Sequence, residues 1–383
     1  MFDYSPPKNL PSILSETSVA SHGSILAAVD GGIERKRLLE LLDPQPSRWA
    51  LEVVYKTGST NADLAAQLKA ARWIPFNPRV RVAYSQTAGR GRRSRPWLDS
   101  PGNALLFSLA HLMPRTPDRL AGLSLALGAT IVEGLRTLPL DDSRRLLIKW
   151  PNDILLDGAK LAGVLVETAW STRDSTALIV GVGLNINSVD GLAKQIASSF
   201  ETFLPTFPLM PSALSSAWPN ASPTPVLGAV LNALAVGLER FGQYGFGPFR
   251  DAWIAVHAYM GQEVVISGQG EEIARGIVYS VDEQGRLLIR TPQEILAIAA
   301  GDVSLRLSEN VNISAQQASG VFTYEAYINE LPAANTSIIG QYSSRLTTGA
   351  APVSHLSVTT LASSSAQPAT GCAHKQQLYN DDA

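Results

Sequence analysis

The chain has 383 residues, 45% hydrophobic and 17% charged, with a net charge of −2. That suits two or three domains with buried cores and excludes a general polyanion binder, so any cationic site has to be local. One cysteine, Cys372, excludes an intramolecular disulfide and a thiolate zinc site, and no basic segment leads an apolar core in residues 1–32.

Residues 1–48 read as an N-terminal extension, partly disordered, with Pro6, Pro7 and Pro11 in a loose lead and one short helix over Ile33–Leu42. That segment is too short for a winged-helix head, so no DNA partner is expected. From Trp49 strands and helices alternate. Leu51–Tyr55, Arg79–Tyr84 and Ala104–Ala110 read as strands and Asn61–Lys69 as a helix. Leu120–Leu138, with apolar residues at 120, 123, 127, 131 and 135, reads as an amphipathic core helix. Leu146–Trp150, Ile154–Leu156, Leu161–Thr168 and Thr176–Leu184 are closely spaced strands with no helix between, which predicts an antiparallel meander. A Pro/Ser/Ala-rich loop (193–224) and a second amphipathic helix, Val226–Phe241, complete residues 49–255. The fold class is α+β: a mixed, largely antiparallel sheet with helices on one face. Residues 256–308 hold short strands at Val264–Ser267, Ala274–Val281, Arg286–Arg290 and Ile295–Leu307, the pattern of a small C-terminal β-barrel. Residues 309–383, rich in Ser, Thr and Ala, read as a disordered tail. No run approaches the roughly 20 apolar residues of a membrane span, so the expectation is a cytoplasmic protein without a membrane partner.

Five segments could carry chemistry. The loop Gln86–Gly102 packs Arg90, Arg92, Arg93 and Arg95 into six positions, with Gly89 and Gly91 among them and Trp97 after them. Glycines let a ligand approach the backbone, guanidiniums offer forked, permanently charged donors to phosphate, and an indole can cover a purine. Alone, the loop reads more simply as a solvated basic patch or an RNA contact. Ser59-Thr60-Asn61 lies between a strand and a helix, where Thr60 with Asp63 resembles a capping box and a helix start can also bind a polar ligand. Lys149-Trp150-Pro151-Asn152-Asp153 ends a strand at the sheet rim, with Asp153 a candidate Mg²⁺ ligand and Lys149 or Asn152 a phosphate contact. Lys160 opens the apolar strand that contains Gly163, where something should approach the backbone closely. Gly181-Val182-Gly183-Leu184-Asn185 lacks the third glycine of a dinucleotide fingerprint.

In this order and spacing, the segments STN, GRGRRxRxW, KWPND, GxKxxGxLxE and GxGxNxN resemble the motif series of biotin–protein ligases, the BirA family. The resemblance covers residues 49–307. It implies a class II aminoacyl-tRNA synthetase-like catalytic domain, followed by an SH3-like barrel. It also implies an ATP- and Mg²⁺-dependent reaction that makes biotinyl-5′-AMP and transfers biotin to a lysine of the biotin carboxyl carrier protein of acetyl-CoA carboxylase. A homodimer is compatible with it. By motif position, Ser59, Thr60, Asn61 and Gln86 would line the biotin pocket and Gly89 and Arg90 would meet the ureido head. Arg92 and Arg93 would hold the adenylate phosphate, and Trp97 would approach adenine. Lys160, and Arg92 with it, would be catalytic; Lys149, Asn152 and Asp153 would face ATP or Mg²⁺, Gly163 the biotin chain and Asn185 the nucleotide. Two departures stand out: Ser94 occupies a position where the family often has glycine, so either its φ suits a non-glycine residue or the loop runs slightly differently, and the DNA-binding head of bifunctional members is not expected. The alternatives are a lipoate–protein ligase, which shares the fold and the chemistry, and a nucleic-acid-binding module built on the arginine loop.

Overall fold

The apolar run Ala104–Met113 is buried at eight of its ten positions, which demands a strand covered on both faces. In the computed structural model, which describes residues 32–70, 76–194, 209–268, 271–300 and 303–308, it sits in the middle of a seven-stranded sheet. A short helix α1 (Arg35–Leu41) precedes β1 (Ala50–Thr57), α2 (Thr60–Ala70), β2 (Arg79–Gln86) and β3 (Ala104–Met113). Helix α3 (Leu123–Leu135) leads to β4 (Leu146–Lys149), β5 (Asp153–Leu156), β6 (Ala159–Ser171) and β7 (Thr176–Asn185), and helices α4 (Pro223–Tyr244) and α5 (Arg250–Ala255) follow. The strand order is β1-β2-β3-β7-β6-β5-β4. Only β1 and β2 run parallel, joined by the crossover through α2; every other pair is antiparallel, including the expected meander β4–β7.

Strand alternation separates the two faces of this sheet. Leu105, Phe107 and Leu109 of β3 and Leu178, Val180, Val182 and Leu184 of β7 enter the main core with α3 and α4. The intervening residues Ala110, Ala177 and Ile179 pack instead on Leu64 and Leu68 of α2. The two long helices therefore share one face, and α2 lies on the other. Helix α3 is shorter than the apolar periodicity suggests because Gly122, at φ 80°, turns the chain into it. By length and composition alone α4 could cross a membrane, yet over half of it is buried inside the protein, against α3 and α1. Asn232 of α4 fastens α1 by accepting from Asp43 N and donating to Leu41 O.

The second sheet comprises β8 (Glu263–Gly268), β9 (Glu271–Val281), β10 (Leu287–Arg290), β11 (Ile295–Ile298) and β12 (Val303–Leu307), antiparallel throughout in the order β11-β10-β9-β8-β12. The single strand expected over Ile295–Leu307 is thus two strands on opposite edges, one paired with β10 and the other with β8. No pairing closes β11 on β12 among the described residues, so the small barrel takes the form of an open five-stranded sheet. Its apolar face, with Val264, Ile266, Val278 and Leu287, joins the main core. The Trp150 indole N–H donates to Gly285 O at 3.2 Å across the junction. The loose lead to residue 31 and the tail 309–383 lie outside the described residues.

Two histidines are buried in this fold. His257 lies 4.5 Å from the Trp253 ring, with Nε2 3.4 Å from Trp150 N and Nδ1 3.3 Å from Tyr259 N, and the neutral ring accepts from one of the two. Burial, with the charge of Lys149, pushes it down to about 3, and burial alone pushes His111 to about 4. The unfolded chain takes up these protons near pH 6.5, the native protein only well below, so stability falls as pH drops below 6.5. The urea midpoint should be lower at pH 5 than at pH 7, and His257→Asn should flatten that dependence. Equal slopes in parent and variant would contradict this assignment.

Candidate active site

On the α2 face, the sequence motifs converge through strand register. Val54, Ala83, Leu106, Gly183, Gly163, Asp153 and Lys149 are successive cross-strand neighbours, one from each of the seven strands. The next row on the same face contains Ser108, Gly181 and Leu165. Gly163, Gly181 and Gly183 therefore leave a patch of sheet bare of side chains. The Trp97 indole lies on it: a Cβ at Gly163 would come 3.0 Å from the ring, and one at Gly183 would overlap it. The Trp97 indole nitrogen is buried and unpartnered among the described residues.

The loop bearing Trp97 is a miniature hairpin. Gly91 N donates to Arg95 O at 2.8 Å and Trp97 N to Gly89 O at 2.9 Å, with Arg90 bridged to Pro96. Its tip turns through Arg93 and Ser94, at φ 60° and 56°. Ser94 thus adopts a left-handed conformation that favours glycine, so the first of the two expectations, a φ suited to a non-glycine residue, fails. The arginines diverge. Arg90 pairs with Glu167 of β6 at 3.3 Å, Arg92 donates to Ala300 O, and Arg93 donates to Ser304 Oγ at 3.1 Å. The second and third arginines are thereby held by the C-terminal sheet.

Ser59, Thr60 and Asn61 are all buried at the start of α2. Ser59 Oγ accepts from Ala62 N at 3.5 Å, so Ser59 rather than Thr60 caps the helix. Asp63 binds Thr57 and Arg81 instead of closing a capping box. Gln86 Oε1 accepts from Thr60 N at 2.7 Å and from the Thr60 hydroxyl at 3.1 Å. The Ser108 hydroxyl, fully buried, has one hydrogen for Asn61 Oδ1 at 2.5 Å and Thr60 Oγ1 at 2.7 Å. Asn61 Nδ2 donates to Glu167 at 2.7 Å. Only glycine fits at 181, where a Cβ would overlap the Asn61 amide.

Cations gather at the other end of the bare patch. Lys160 Nζ lies 2.7 Å from Asp153 Oδ1 and 5.3 Å from the centre of the Trp97 ring. Lys149, opposite Asp153 in register, is pushed down to about 8 by burial; Asp153 opposes the shift, and the charges of Arg306, Lys160 and Arg95 add to it. Two lysines beside one carboxylate, with the charges of Arg306 and Arg95 felt at Lys149, make a receptor for anions. Among the described residues no three His, Cys, Asp or Glu side chains converge. The donor set fits Mg²⁺ only with Asp153 as its one protein carboxylate and phosphate oxygens as the remaining ligands. Asn152 and Asn185 serve the frame: Asn152 donates to Val164 O at 3.0 Å, and Asn185 donates to Lys160 O and Ser212 O at 3.4 and 3.0 Å.

Sequence reasoning singled out most of this site but missed Ser108 and Arg306, and gave no role to Arg95 or Glu167 although both lie in its motifs. Ser108 is one small residue in an apolar strand, and only its register opposite Gly181 gives it a partner. Glu167 closes the lysine–glycine segment, a signal that was available, since an acid in an apolar strand calls for a partner.

Comparison with known proteins identifies relatives. Residues 53–185 match the Biotin/lipoate A/B protein ligase family, and residues 259–306 match the Biotin protein ligase C terminal domain. The chain is 32% identical over 253 residues to the biotin–[acetyl-CoA-carboxylase] ligase of Paracoccus denitrificans, covering 65% of this chain and 97% of that protein. It is 31% identical over 228 residues to the bifunctional ligase/repressor BirA of Escherichia coli, covering 60% of this chain and 66% of that protein. The structure of the biotin protein ligase from Aquifex aeolicus in complex with biotin and ATP superposes with a TM-score of 0.51 at 28% identity, over 68% of this chain and 99% of that one.

The bare patch offers a direct test. Gly183→Ala should lift the Trp97 indole from the sheet, read as stronger acrylamide quenching of tryptophan fluorescence than in the parent. The difference should vanish in a Trp97→Phe background. Unchanged quenching would mean that the ring does not rest there.

Proposed function

The chain belongs to the biotin protein ligase family, and we propose that it activates biotin with ATP and transfers it to a lysine of the biotin carboxyl carrier protein of acetyl-CoA carboxylase. The observation that carries this reading is one sheet face that joins the uncharged network of Gln86 and the buried Thr60, Asn61 and Ser108 to the Lys149 and Lys160 cations across glycines covered by the Trp97 indole. The substrate is likewise a neutral ureido head on an apolar chain that ends in a carboxylate. The match of residues 259–306 to a domain named for biotin protein ligases favours biotin over lipoate. The modest acidic balance speaks against a nucleic-acid module.

In the first half-reaction a biotin carboxylate oxygen attacks the α-phosphorus of ATP, a P–O bond forms, and pyrophosphate leaves with the electron pair of the broken bond. In the second, the ε-amine of a carrier lysine attacks the acyl carbon, AMP leaves, and the amine loses a proton. The first step brings anions together, so fixed cations lower its barrier most where charge develops. Lys160 is assigned to the biotin carboxylate and its acyl-adenylate, with Asp153 orienting the ammonium. Arg92 and Arg93 are assigned to the adenylate phosphate, Lys149 to the ATP phosphates and Trp97 to adenine. Ser59, Thr60, Asn61, Gln86, Gly89 and Arg90 would hold the head group, and Gly163 would lie under the chain. Asp153 would be the protein ligand of Mg²⁺, which would supply charge neutralisation for pyrophosphate. Asn152 and Asn185 act through the backbone they hold. The division into a catalytic domain over 49–255 and a C-terminal domain over 256–308, and a cytoplasmic location, belong to the same reading.

The chain should catalyse biotin-dependent exchange of pyrophosphate into ATP. Lys160→Ala should abolish exchange while the unfolding midpoint stays near the parent's, and Arg92→Gly should release biotinyl-adenylate faster. Exchange indifferent to biotin, or driven by lipoate alone, would overturn the proposal. In the free enzyme the charge of Lys149 fades as pH rises through about 8. The ratio kcat/KM for ATP should therefore fall over that range, and Lys149→Arg should move the fall to higher pH.

A further inference from the structure

Glu167 stands outside every role assigned so far, although its carboxylate touches two parts of the site that come from distant sequence. One is Asn61 at the start of α2, whose Nδ2 donates to Glu167 Oε2 at 2.7 Å. The other is Arg90, the first arginine of the loop, at 3.3 Å. A carboxylate accepts hydrogen bonds and cannot donate them. Glu167 therefore dictates which end of the Asn61 amide faces it, and the other end, Oδ1, must point at the Ser108 hydroxyl. With the Ser108 hydrogen given to Asn61 Oδ1, the Thr60 hydroxyl has one hydrogen for Ser108 Oγ or for Gln86 Oε1, which Thr60 N also reaches. One side chain on β6 thus sets the direction of the Asn61 amide and, through it, of the Ser108 hydroxyl on β3. The bare backbone at Gly181 gives the Asn61 amide room to lie flat in this chain.

We propose that Glu167 is a positioning residue for biotin: by holding Asn61 and Arg90 together, it orients the head-group pocket and draws the arginine loop down onto β6. This rests on the biotin-ligase reading above and adds a residue that touches the pocket only through others. The Glu167–Arg90 pair is partly exposed, with side chains 33% and 45% accessible, so solvent screens it and it contributes little to global stability. Its consequence is geometric. Releasing Arg90 loosens the loop, and releasing Asn61 lets the amide turn over and present the wrong polarity to a ureido group.

Glu167→Ala removes both contacts. Glu167→Gln keeps a carbonyl for Asn61 and discards the charge that holds Arg90. In biotin-dependent pyrophosphate exchange by the full chain, Glu167→Ala should raise KM for biotin by about tenfold, the scale of one lost charge-assisted hydrogen bond, with kcat within about twofold and an unfolding midpoint near the parent's. Glu167→Gln should fall between parent and alanine variant, and Glu167→Ala combined with Arg90→Ala should raise KM by less than the product of the two single effects, because they share the Arg90 contact. An unchanged KM for biotin in Glu167→Gln and Glu167→Ala would overturn the inference, as would a fall in kcat and midpoint together at constant KM. Absence of exchange in the parent chain would instead overturn the ligase reading.

Discussion

The site depends on a local absence of side chains. One face of the seven-stranded sheet is apolar and sealed by two long helices; on the other, Gly163, Gly181 and Gly183 cluster on β6 and β7. Without Cβ atoms there, an indole and an amide lie directly on the backbone. Close packing leaves no other way to fit planar groups against a sheet. The patch also keeps the cations at one end apart from the neutral network at the other, so a molecule laid across it would meet different chemistry at its two ends.

The electrostatics follow from that geometry. Burial lowers the proton affinity of Lys149, and the charges of Arg306, Lys160 and Arg95 add to the shift while Asp153 opposes it. Fixed like charges held close raise the energy of the protein alone and lower it when an anion arrives. The C-terminal sheet belongs to this design because Arg306 comes from β12, while Arg92 and Arg93 of the loop reach Ala300 and Ser304. The two sheets share one core as well, so the loop is anchored on both sides by rigid elements.

The hairpin tip is the least comfortable backbone in the site. Arg93 and Ser94 both take left-handed conformations, which cost a residue with a side chain about 1 kcal/mol each. They persist because the hydrogen bonds at the hairpin base and the contacts of Arg92 and Arg93 hold the turn in place.

Sequence by itself determined the strands and helices, because apolar periodicity reports which residues must leave water, and it determined the chemical classes in the motifs, because Arg, Lys and Gly have few substitutes for anion binding and close approach. Order and spacing were enough for the family. Tertiary structure alone decided the partnerships. Register placed Lys149, Asp153, Gly163 and Gly183 in one row, although they come from four separate strands. It moved the helix cap from Thr60 to Ser59, split Ile295–Leu307 between two sheet edges, and turned Ser94 left-handed. It also gave Ser108 and Glu167 their roles. Cross-strand pairing depends on contacts between residues far apart in the chain, and no local pattern encodes which strand edge will face which.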